Sequence, residues 1–91
     1  MTRASRPVLA AKARLRQDRR RGGWLLLYPE RGLALSPSAV EIVRRCDGVH
    51  TIARIAAELA ATHDAAPEAV ERDVLDFVDA LAARALLEDR G

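Results

Sequence analysis

The chain has 91 residues, about half of them apolar and only three aromatic, which suits one small helix-rich domain with a modest Ala/Leu/Val core. Its apolar runs fall well short of the roughly 18–20 residues that span a bilayer, and no apolar segment of a signal peptide follows Arg3 and Arg6. One cysteine, Cys46, excludes an intramolecular disulfide and makes a reducing cytoplasm the expected compartment.

The net charge of +2 conceals a segregation of signs. Residues 1–35 carry nine Lys or Arg against two acids, a net +7, whereas residues 64–91 carry three Arg against eight acids, a net −5. Such a chain can pack its halves together or present both signs to a partner.

Residues 1–9 contain Pro7 and no period, which predicts a mobile tail up to about residue 10. A single domain over residues 11–91 follows, with strands over about 11–35 and helices over about 37–85. From residue 11 to 17, Ala11, Ala13 and Leu15 alternate with Lys12, Arg14 and Arg16, a half-buried strand with a basic outer face. Gly22 and Gly23 then supply a turn. Trp24, Leu25, Leu26, Leu27 and Tyr28 form an apolar run bounded by turn residues, the pattern of a buried central strand. Pro29 lacks an amide donor and should stop it, Gly32 can take a positive φ in the return, and Leu33, Ala34 and Leu35 run back as a third strand. Three strands in a meander still need a helical cover.

Ser36 and Pro37 are a helix start, N-cap and first helical position, and Gly48 suits a left-handed C-terminal residue. Thr51 can cap a second helix whose Ile52, Ile55, Ala56 and Leu59 share one face. A third helix starts at Pro67, with Glu68 and Glu71 near its positive end and Val70, Val74, Phe77, Val78 and Leu81 as its stripe. Leu86 and Leu87 follow as a hydrophobic clip. The expected fold is α+β, a three-stranded antiparallel meander followed by a three-helix bundle resembling a winged helix.

Little in the chain suggests catalysis. His50 and His63 lie thirteen residues apart, without the second cysteine or acidic cluster of a metal site. Cys46 sits at a helix end without a base partner and reads as a small core residue. The glycine pair at 22 and 23 lacks the helix and lysine of a phosphate cradle. No catalytic, metal-binding or cofactor-binding residue is assigned, and the chain reads as a binding protein, not an enzyme.

Two binding modes compete. A winged-helix-like nucleic-acid module would place the third helix in a major groove. That helix carries Glu68, Glu71, Asp73, Asp76 and Asp79 against Arg72 and Arg84, which repels phosphates, so no nucleic acid is expected. The alternative is peptide capture, an extended segment adding as a strand to the edge at Leu33, Ala34 and Leu35.

The run GGWLLLYPER at 22–31, LSPSA at 35–39, Cys46-Asp47-Gly48, and the apolar residues between Ile55 and Leu59 resemble the PqqD family of pyrroloquinoline quinone biosynthesis. The resemblance extends from about residue 7 to 87. It implies a cytoplasmic peptide chaperone that binds the precursor peptide PqqA and presents it to the radical S-adenosylmethionine enzyme PqqE, whose clusters belong to the enzyme. It implies a peptide lying antiparallel on the third strand, at Leu33, Ala34 and Leu35, against a third-helix wall at Val70, Asp73, Val74 and Phe77. Trp24, Leu26, Tyr28 and the Cys46-Asp47-Gly48 block read as structural, and Glu30 and Arg31 as a turn ion pair or a partner contact. Lys12, Arg14 and Arg16 are a candidate docking surface for PqqE, and the free strand edges permit a homodimer. Ala85 departs from the family pattern, in which glycine precedes the Leu-Leu clip, so the third helix is expected to end differently.

Overall fold

A computed structural model describes residues 1–29 and 31–91. The alternating segments become β2 (Arg14–Gln17), β3 (Trp24–Tyr28) and β4 (Arg31–Leu35), an antiparallel sheet in the order β2-β3-β4. Leu26, fully buried, pairs with Leu15 on one side and Leu33 on the other. Side chains alternate across a strand, so these three leucines face the helices, while Arg14, Arg16, Leu25 and Leu27 share the opposite face. The first strand is shorter than expected because residues 10–13 form a turn, with the Ala13 amide donating to the Ala10 carbonyl at 2.9 Å.

The glycines divide the work differently from the expectation. Gly22 and Gly23, at φ of 76° and 78°, make the reversal between β2 and β3. Gly32 has no positive φ and lies inside β4 opposite Leu27. A Cβ there would stand 3.0 Å from the Cδ2 of the half-buried Leu27 side chain, a close approach that a small shift of that side chain would relieve. Glu30 lies outside the described residues, and with it the Glu30–Arg31 pair.

Helix α1 (Pro37–Arg44) starts on Ser36, whose Oγ accepts the Ala39 amide at 3.2 Å. The chain leaves it through Gly48 at φ 79°. Between them Cys46 is buried, its thiol pushed up to about 12 by desolvation and secondarily by Asp47, and it donates to the Ile42 carbonyl. It is a core residue. Helix α2 (Ile52–His63) is capped by Thr51 and packs on α3 (Pro67–Ala83). Ile52, Ile55, Leu59, Val74, Val78 and Leu81 meet Leu26, Ile42 and Val43 in one core cluster.

Residues 1–10 do not form the expected tail. Pro7–Leu9 is a strand, β1, paired antiparallel with β5 (Leu87–Asp89), with Ser5, Pro7 and Ala10 buried. The carbonyls of Ser5 and Arg3 accept the Ile52 and Ala53 amides at 2.9 and 3.0 Å, and Thr51 Oγ1 accepts that of Arg54 at 3.1 Å. The N-terminal segment thus completes the capping of α2. A three-residue strand is too short to show a period, and its partner lies 80 residues away.

Ala85 stands in the turn that ends α3. It adopts φ 59°, and the Leu86 amide donates to Leu81 while the Ala85 amide donates to Ala82. This is a Schellman ending with alanine where glycine is at ease. Ala85→Gly should therefore raise the unfolding free energy by about 1 kcal/mol, measured by urea titration.

Asp47 organises the loop before α2. Its carboxyl is lowered to about 2, chiefly by the His50 amide and then by the Val49 amide, with the His50 ring 2.8 Å away. A folded-state value below the ordinary 3.8 means the stabilisation is present above about pH 4 and lost as pH falls toward 2. Asp47→Ala should be less stable than wild type at pH 7. Urea unfolding at a series of pH values should show the two converging between about pH 4 and 2.

Candidate functional site

Strand β4 pairs with β3 on one side only; among the described residues no strand covers its other edge. Successive residues of an antiparallel strand send their amides and carbonyls alternately to either side, so part of the β4 backbone is available for pairing. Ser36 begins α1 directly after β4, which fixes the helix at the end of that edge. Helix α3 closes the opposite wall.

A groove of about 470 Å³ runs between them. Leu33, Ala34 and Leu35 line its strand side, Ala39 and Ile42 of α1 its floor, and Asp73 and Phe77 of α3 its far wall. Leu33, Leu35 and Phe77 are half-buried, packing on the core with one side and lining the groove with the other. Asp73 is exposed. A second depression, of about 230 Å³, continues between α1, α2 and α3. Val70 and Val74 belong to it, with Glu41 and His63 at its rim, and Ser38, Ile42 and Asp73 line both hollows.

The seven residues named from the sequence as a peptide site therefore fall into two adjoining hollows. Their roles differ. Leu33, Ala34, Leu35, Asp73 and Phe77 meet at the strand edge; Val70 and Val74 lie beyond it, and Val74 is a core residue that only floors the second hollow. Sequence reasoning missed Ser38, Ala39, Glu41 and Ile42 of α1 and Leu59 and His63 of α2. The one signal for them was Glu41, a carboxylate interrupting the apolar run from Ala39 to Val43.

Lys12, Arg14 and Arg16 are exposed and lie away from the groove. Arg16, Arg19 and Arg20 border a hollow of about 550 Å³ on the outer sheet face, over Leu25 and Leu27. On the far side of α1 the Arg44 guanidinium sits 4.5 Å from the centre of the Trp24 ring, which ties α1 to the start of β3. Among the described residues no three His, Cys, Asp or Glu side chains converge to hold a metal ion, and no helix is long and apolar enough to cross a membrane. The chemistry on offer is an open strand edge beside an apolar trough with carboxylates at its rim, which suits an extended polypeptide.

Comparison with known proteins points the same way. Residues 23–87 match the family model of coenzyme PQQ synthesis protein D. A protein of Xanthomonas axonopodis pv. citri named PqqA binding protein is 46% identical over 87 residues, covering 96% of this chain and 95% of that one. The solution structure of the PqqD part of Methylobacterium extorquens PqqCD superimposes with a TM-score of 0.78 at 39% identity, over 90% of this chain and 87% of the other. That protein is described as a functional, stand-alone recognition element for ribosomally synthesised and post-translationally modified peptides. The crystal structure of PqqD from Xanthomonas campestris gives 0.62 at 40% identity, over 97% and 98%. With its matching sequence and its sheet-and-helix fold, this chain belongs to the family of coenzyme PQQ synthesis protein D.

Proposed function

We propose that this protein is a peptide chaperone of pyrroloquinoline quinone biosynthesis, which binds the precursor peptide PqqA by strand addition and presents it to the radical S-adenosylmethionine enzyme PqqE. The observation that carries the reading is the unpaired edge of β4 lying along a groove walled by α3. The names of the relatives support PqqA as the ligand, and the Methylobacterium description supports recognition of a precursor peptide. The protein itself contributes no chemistry. Pairing with β4 orders a flexible peptide before it meets the enzyme, which lowers the entropic cost at that active site.

The groove and the basic sheet face lie on different surfaces, so peptide and enzyme can be held together. Arg14 and Arg16, with Arg19, Arg20, Leu25 and Leu27, offer the enzyme a charged rim around an apolar patch.

Calorimetric titration with synthetic PqqA peptide should give saturable one-to-one binding, and a DNA duplex at physiological salt should give none. Tight duplex binding without peptide binding would reverse the reading. Ala34→Pro removes an amide from the edge and adds ring bulk beside the ligand, and should weaken PqqA binding about tenfold while circular dichroism stays unchanged. Asp73→Lys/Phe77→Ala should impair capture with helicity intact; full affinity in that variant would leave the α3 wall a purely structural element. Arg14→Glu/Arg16→Glu should lose PqqE in a pull-down and keep PqqA. Loss of both would place the two ligands on one surface.

A further inference from the structure

The second depression has features that a generic peptide groove does not need. Its floor is Ile42, Leu59, Val70 and Val74, and all but Val70 are buried. At about 230 Å³ it is smaller than the roughly 300–1,000 Å³ of cofactor and small-molecule sites, and it fits one large apolar side chain. The charged groups lining it are Glu41, Asp73 and His63. Among the described residues no Lys or Arg lines either this hollow or the groove beside β4.

The position of the carboxylates matters more than their number. Elsewhere Glu71 is held by Arg3, Glu58 by Arg45 and Arg54, and Asp79 by the N-terminal ammonium, while Asp64, Glu68 and Asp76 have no ion-pair partner among the described residues and line neither hollow. Asp73 has no ion-pair partner among the described residues, and it stands on the boundary that the two hollows share. Among the described residues the Glu41 carboxylate meets only an imidazole, with His63 Nε2 2.7 Å from its Oε2, while its main-chain carbonyl accepts from Arg45 Nη1 at 3.0 Å.

We infer that this depression is a specificity subsite, which takes an apolar side chain of the bound peptide and selects a Lys or Arg close to it in the peptide sequence. The inference rests on the peptide-binding reading above. An acidic ligand residue here would meet like charge at Asp73 and Glu41, and a neutral one would gain apolar burial alone. A cation beside an apolar anchor gains both, and the trough then discriminates by repulsion as well as by attraction.

The test is calorimetric titration of synthetic PqqA peptide and of analogues in which each Lys or Arg is replaced in turn by Gln. They are titrated against wild type, Asp73→Asn and Asp73→Asn/Glu41→Gln. At least one analogue should bind wild type about three- to fivefold more weakly than the parent peptide, with that difference disappearing in the double variant. Asp73→Lys should in turn prefer, over the parent peptide, a further analogue with Glu at that position. Equal binding of every analogue to wild type, or a loss just as large in the double variant, overturns the inference and leaves peptide binding intact. If the parent peptide fails to bind wild type, the peptide-binding reading itself falls, and the subsite with it. Should the variants not fold, wild type decides alone: affinity for the parent peptide must fall as salt rises, and unchanged affinity overturns the proposal.

Discussion

A backbone amide that leaves water must find an acceptor, and the architecture follows from where those acceptors come from. The carbonyls of Arg3, Ser5, Arg6 and Pro7 accept the amides of Ala53, Ile52, Arg90 and Gly48. One short segment thereby ties the start of α2, the loop before it and the chain's end to one another. Arg6 and Gly91 amides and the Ser5 hydroxyl in turn hold the Asp89 carboxyl below its ordinary range. With the two ends of the chain joined as β1 and β5, Leu86 and Leu87 are pinned under α3 and the helical core is closed.

At β4 the same rule works in the opposite direction. Its outer edge is not supplied with acceptors and donors from within the described chain, and the trough beside it is floored by residues that the core already positions. Ile42 packs in the central cluster and lines both hollows, so the shape of the trough is tied to the stability of the core. A trough built this way keeps its shape in the free protein, so an extended ligand there would bear the ordering cost of association itself.

Charge is distributed on the same plan. The arginines of β2 and the following loop lie on the outer sheet face, whereas Asp73 of α3 and Glu41 of α1 border the trough. The near balance of charges along the chain thus becomes two surfaces of opposite character. Arg3 with Glu71 and the N-terminal ammonium with Asp79 join the halves at the periphery, where exposed pairs are worth little individually.

Much of this was legible in the residues because it depends on local rules. The run from Trp24 to Tyr28, the caps at Ser36 and Thr51, Pro37 and Pro67 at helix starts, and the stripe through Val74, Val78 and Leu81 all carry their signal within one or two turns. These determined a meander followed by three helices, and they placed Leu33, Ala34 and Leu35 on an edge. What only the tertiary structure decided depends on partners distant in sequence. Pro7–Leu9 is a strand because Leu87–Asp89 lies beside it, and Gly32 lies inside β4 opposite Leu27, with no positive φ. Ala85 holds a left-handed φ in the turn that brings Leu86 back to Leu81. Glu41 and His63 reach one rim because α1 and the end of α2 converge on α3. Periodicity records which face of an element is buried; it does not record which other element buries it.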